Sequence, residues 1–147
     1  MFWVQVGKWE FASSRVEEVG RVGETVADAV LSRLREWGVE EVFGYAGDGI
    51  NGLLTAWGRA ANKPHFVQAR HEEMAAFEAV GYAKFSRRPG VCTATSGPGA
   101  IHLLNGLYDA ALDHVPIVAV VGQTSRSTAP SLLKTEALFP LTPPDTG

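Results

Sequence analysis

From Thr25 onward the apolar residues fall into two alternating periods. Val26, Val30, Leu34 and Trp37 recur on one helical face, with Leu31 beside them. Thr25 stands at the N-cap and Asp28 three residues on, in a capping-box-like position. Gly38 closes that helix. "VEEVFGY" (39–45) then reads as a short strand and Gly44–Gly49 as a glycine-rich turn. Residues 50–61 read as a helix that Pro64 breaks, and "HFVQA" (65–69) is a second strand. The pattern then repeats. Residues 71–85 form an alanine-rich helix, with Met74, Phe77, Ala79 and Tyr82 available for packing. "RRPG" is a turn, "VCTAT" (91–95) a strand, "SGPG" (96–99) a tight turn, and residues 100–112 a helix. "PIVAVVG" (116–122) is the continuous apolar run of a strand buried on both faces.

Strands alternating with helices imply parallel βαβ units with right-handed crossovers. The expected fold is α/β, a three-layer α/β/α domain around a mainly parallel sheet, spanning residues 25–124. In such sheets ligands bind at the carboxyl ends of the strands. Here those are the turns Gly44–Gly49, Arg70–Glu73, Thr95–Gly99 and Gly122–Ser125. Residues 1–24 hold two tryptophans and no helical period, and are expected to be an extension with one short strand. Residues 125–147 show late prolines and no clear period, as in a divergent, extended or disordered tail.

Composition narrows the class. Of 147 residues, 46% are hydrophobic and 20% charged, with a net charge of −3, the profile of a globular domain. There is no basic footprint for nucleic acid and no polybasic patch for a membrane surface. No apolar run reaches the roughly 18 residues of a membrane span. The opening "MFWVQVGKWEF" is a poor signal peptide, and one cysteine gives no disulfide framework, so a cytoplasmic protein is expected.

Several motifs fail on inspection. "HEEMA" has alanine where the second histidine of a zinc protease would stand. "TATSGPG" has Ala94 in place of the first glycine of a nucleophile elbow. "SGPGAIH" lacks both the third glycine of a dinucleotide fingerprint and the lysine of a P-loop. His71, His102 and His114 show no metal-ligand spacing, and Cys92, inside an apolar strand, is a packing residue. Two readings of His71-Glu72-Glu73 stand side by side. Acids favour a first helical turn through the macrodipole. Alternatively, one glutamate points into the cleft, where burial raises its pKa and lets it share a proton with a ligand nitrogen.

The segments "VFGYAGDGIN", "RHEEMA", "TSGPGA", "NGLYDA" and "HVPIVAVVGQ", in that order, closely resemble the N-terminal, pyrimidine-binding domain of thiamine-diphosphate enzymes. The pyruvate oxidase, pyruvate:quinone dehydrogenase and acetolactate synthase group is the one resembled, over about Thr25 to Gln123. The resemblance implies action on pyruvate or another 2-keto acid, by oxidative decarboxylation or carboligation. It implies that Glu72 is the catalytic glutamate, hydrogen-bonded to N1′ of the cofactor's aminopyrimidine. It also implies that Ala46, Gly47, Thr95, Ser96, Gly97, Pro98 and Gly99 cradle that ring, with Asn105 and Gln123 facing the active site or a subunit interface. Family active sites form between this domain and a diphosphate-binding domain of another subunit, so a homo-oligomer or such a complementary domain is the expected partner. Mg²⁺ and FAD would be held by domains outside this chain, which by this resemblance is a fragment. A non-catalytic remnant that keeps the fold is the alternative. The chain departs from its relatives in two places: Ala46 stands where proline is common, and the segment after Gln123 has no equivalent. Gly47-Asp48-Gly49 looks like the family's Mg²⁺ motif. However, after Asn51 and Asn62 the next asparagine is Asn105, so the required partner asparagine is missing. Asp48 is therefore expected to be a turn and N-cap residue for the following helix, with no metal ligand in this chain.

Overall fold

The computed structural model describes the backbone of residues 2–6 and all of residues 23–123. Five strands, β1 (Phe2–Val6), β2 (Glu41–Gly44), β3 (His65–Gln68), β4 (Gly90–Ala94) and β5 (Ile117–Val121), form one sheet in the order β1-β5-β4-β2-β3. β2 to β5 run parallel, while β1 lies antiparallel on β5, with Phe2 opposite Val121. The helices are α1 (Val26–Glu36), α2 (Asn51–Arg59), α3 (Glu72–Ser86), α4 (Pro98–His102) and α5 (Leu104–Leu112). The α/β architecture and mainly parallel sheet expected from the alternation are present. The expected tail falls outside the described residues.

Local signals explain the ends of α1. Thr25 Oγ1 accepts from the Asp28 N–H at 3.2 Å, and Asp28 Oδ2 accepts from the Thr25 N–H at 2.9 Å, a complete capping box. Gly38, at φ +74°, turns the chain so that its N–H reaches the Arg35 carbonyl and the Val39 N–H the Leu34 carbonyl.

The core has two halves, one on each face of the sheet. Val118 and Val120 of β5 join Val91, Val42 and the apolar faces of α1 and α2 (Leu31, Leu34, Leu53, Trp57). Ile117 and Ala119 join Cys92, Ala94 and the faces of α3 and α5 (Ala76, Ala79, Val80, Leu107), with Leu103 between the helices. Successive β5 residues thus serve opposite layers, as a strand's period of two requires. Each fully buried Leu or Val contributes about 1.5–3 kcal/mol.

Three elements differ from expectation by more than one residue at an end. The helix expected over 50–61 begins as a 3₁₀ turn (Asp48–Ile50) before α2. The helix expected over 100–112 starts earlier, at Pro98, and is divided at Leu103. Proline suits a first helical position because its missing N–H would have no partner there. Leu103 itself keeps helical dihedrals (φ −66°, ψ −22°) and is fully buried. β2 is confined to Glu41–Gly44, shorter than the 39–45 segment expected.

Candidate functional site

The carboxyl ends of β2, β4 and β5 meet with almost no side chain between them. Thr95 Oγ1, just past β4, accepts from the Gly49 N–H at 2.9 Å. A Cβ on Gly47 would stand 2.7 Å from Thr95 Cβ, and one on Gly122 would stand 2.5 Å from the Gly49 carbonyl oxygen. The two loops and the end of β5 therefore form one backbone floor. Gly97 (φ +66°) has nothing within 4 Å of the place a Cβ would take.

Glu72 opens α3 beside that floor. Among the described residues it is one of two buried polar side chains; the other, Thr93, donates from Oγ1 to the Val120 carbonyl at 2.7 Å. Residue 71 takes extended dihedrals at the N-cap, where His71 Nδ1 accepts from the Glu73 N–H at 3.3 Å. His102, at the end of α4, brings Nδ1 to 3.1 Å from Glu72 Oε2, and His71 Nε2 lies 3.7 Å from the same oxygen. The two imidazoles stack loosely, with centroids 4.6 Å apart. The other oxygen, Oε1, faces Gly99: a Cβ there would lie 3.0 Å from Oε1 and 2.7 Å from Thr95 Cγ2.

Burial alone was expected to raise the pKa of Glu72. Desolvation does push it up, but a backbone N–H and the His102 and His71 imidazoles outweigh that and hold the carboxyl below its usual value. The site is thus a buried carboxylate kept ionised by donors.

His71, Glu72 and His102 offer three ligand atoms within 4.8 Å of one another, a spacing that also suits a metal ion. The cap argues against ligation. Because His71 Nδ1 accepts from a backbone N–H, the neutral ring carries its proton on Nε2, the nitrogen turned toward Glu72. In this arrangement His102 donates to the carboxylate and His71 turns its protonated Nε2 toward it; the three side chains meet in space although no metal-ligand spacing links the histidines in sequence.

The structure brings Gly47, Thr95, Ser96, Gly99 and Glu72 into one place. Ala46 and Pro98 are exposed at its rim. Asn105 instead pairs with Glu73, its Nδ2 donating to Oε1 at 2.8 Å. Gln123 is exposed just beyond Gly122. Asp48 does not cap α2: it opens the 3₁₀ turn, and its Oδ1 accepts only a long bond from Asn51 Nδ2, at 3.5 Å. The short turn leaves the first α2 N–H groups out of its reach. His102 was missed as a site residue. Its signal was present, since Gly99 and His102 are three apart and share one face of a helix begun by Pro98.

The family model described as "Thiamine pyrophosphate enzyme, N-terminal TPP binding domain" matches residues 24–138. Pyruvate oxidase of Lactiplantibacillus plantarum is 44% identical over 95 residues, covering 65% of this chain and 16% of that protein. The chloroplastic acetolactate synthase of Arabidopsis thaliana is 46% identical over 100 residues, 68% of this chain and 15% of that protein. The acetolactate synthase isozyme 2 large subunit of Escherichia coli is 46% identical over 99 residues, 67% and 18% respectively. The match thus spans less than a fifth of the length of these curated relatives. No helix among the described residues is long and apolar enough to cross a membrane.

Proposed function

Because the chain belongs to the family of thiamine pyrophosphate enzymes, we propose that it is the pyrimidine-binding part of an enzyme acting on pyruvate or another 2-keto acid. The observation that carries this is Glu72: a buried, ionised carboxylate with one oxygen tied to histidines and the other turned toward a glycine-floored turn. An aminopyrimidine fits such a donor set, having a ring nitrogen that needs a proton partner and a flat face that needs backbone at close range. When bound, thiamine diphosphate supplies an acidic carbon and an electron sink for decarboxylation. Around the pyrimidine ring, positioning and proton sharing fall to this chain. Glu72 shares one proton with the ring nitrogen: the ionised carboxylate accepts from the protonated nitrogen at Oε1, and takes up that proton when the nitrogen gives it up. Thr95 and Gly99 bring the turn close beneath, and Ala46, Gly47, Ser96, Gly97 and Pro98 shape its rim. Burial beside α3 keeps water from the carboxyl.

The diphosphate, its Mg²⁺ and any FAD fall to a second domain, in another copy of the full-length protein or in a separate chain. Support comes from the outward side of α3, α4 and α5, where Met74, Phe77, Ile101, Tyr108 and Leu112 are 41–64% exposed. Apolar residues gathered on one side suit a protein partner, and Asn105 lies on the same helices.

The test is Glu72→Gln in a protein that includes the diphosphate-binding domain. Exchange of the C2 proton of bound thiamine diphosphate, followed by NMR, should slow by about a hundredfold or more. Unchanged exchange would overturn the assignment and leave a non-catalytic module that retains the fold.

A further inference from the structure

We propose that His71 and His102 are a pair of positioning residues for Glu72: His102 donates to Oε2, His71 turns Nε2 toward the same oxygen as an ion-pair partner at 3.7 Å, and together they fix the rotation of the carboxyl group and reserve Oε1 for a ring nitrogen arriving beside Gly99. The identity of the ligand rests on the function proposed above; the geometry of the pair does not.

The terminal torsion of a glutamate is broad and nearly two-fold, so a free carboxyl would present either oxygen. Here the two oxygens are unlike. Oε2 lies 3.1 Å from His102 Nδ1 and 3.7 Å from His71 Nε2, while Oε1 is the oxygen near Gly99. The proton positions follow from the surroundings. His71 Nδ1 accepts from the Glu73 N–H, which leaves its proton on Nε2, facing Oε2. An ionised carboxylate can only accept, so His102 donates through Nδ1. Bonds of this kind to a charged acceptor are about twice as strong as neutral ones. The depressed pKa of Glu72, with both imidazoles among its causes, agrees with this arrangement.

Besides the two imidazoles, the Glu72 backbone N–H acts on this carboxyl. The neighbouring acid, Glu73, is engaged by Asn105 of α5. The turn before α4 contributes Thr95 and α4 itself contributes Gly99, neither of which carries charge. Glu72 is 10% exposed, whereas the His71 and His102 side chains are 46% and 45% exposed. The pair thus stands between the carboxyl and water, and neither ring is committed to the core.

The test needs no cofactor. In the ligand-free chain with ¹³C-labelled glutamate, the Glu72 carboxyl signal is assigned by its loss in Glu72→Gln and titrated with acid. In His102→Ala the midpoint should move up, and in His102→Gln, which keeps an N–H donor, it should return part of the way. His71→Asn separates the two roles of His71. Asparagine is a good N-cap and preserves the helix, but the imidazole facing Oε2 is lost, so the midpoint should again move up. Midpoints unchanged or lowered in both His102→Ala and His71→Asn overturn the proposal, and a rise in only one of them overturns the pair. Because the chain is free of ligand, a failure to bind thiamine diphosphate would count against the proposed function and not against this result.

Discussion

Gly99→Ala isolates the close approach on which the site is built. Gly99 has no positive φ and lies in α4, so alanine suits its backbone. Only the contact changes: the added Cβ stands 2.7 Å from Thr95 Cγ2 and 3.0 Å from Glu72 Oε1. Carbon atoms settle at about 3.5–4.0 Å, so the Thr95 methyl must retreat by roughly 0.8 Å or more. It cannot do so freely, because Thr95 Oγ1 holds the Gly49 N–H. Overpacking of this kind costs about 1–3 kcal/mol. In a domain of this size each kcal/mol lowers Tm by about 4–8 °C. Gly58→Ala is the matched control. It lies in α2 with nothing within 4 Å of the new Cβ, and replacing a helical glycine stabilises by about 0.5–1 kcal/mol. Calorimetry of the two variants should show melting points on opposite sides of the wild type. A Gly99→Ala protein that melts with or above the wild type would refute the packing argument and the tight floor beneath Glu72.

Two further outcomes follow from groups away from the site. Asp28 titrates at about 2, down from 3.8, chiefly through the Thr25 hydroxyl, then the Thr25 N–H and Arg59. A depressed folded pKa stabilises above the unfolded value and stops doing so as pH falls through the folded one. The gap in Tm between wild type and Asp28→Asn should therefore be full above about pH 4 and close near pH 2; a gap that stays constant across that window counts against the capping box. Burial pushes the Cys92 thiol up to about 12, so a thiol reagent should leave the native protein unlabelled and take up one equivalent on unfolding. Prompt labelling of native protein would place Cys92 outside the core.

The parts of the fold that were legible in the sequence depend on near neighbours. The capping box joins residues three apart, the stop at Gly38 needs one dihedral, and the double burial of β5 shows as an unbroken apolar run. The parts that were not legible depend on the crossover. Glu72 and His102 are 30 residues apart and meet only because β4 lies between α3 and α4. The backbone N–H of Glu72 itself and then that contact reverse its expected pKa shift, since burial is visible in a pattern of apolar residues but such donors are not. Asp48 had the composition of a cap, yet the path of the chain through a 3₁₀ turn removed the groups it would have capped.

Three fastenings join α3 to α5. Asn105 holds Glu73 near the start of α3, and Gly106 meets Ala76 where a Cβ would stand 2.5 Å from the alanine methyl. Toward the end of α3, Lys84 reaches Asp113 at 2.6 Å and Asp109 at 3.2 Å. Fastened along its length, α3 has no freedom to roll about its axis. For anyone grafting this site onto another scaffold, the smallest transferable piece is therefore not the helix that bears Glu72. It takes in at least the whole run from His71 to Asp113, with α3, β4, α4 and α5 moved as one slab.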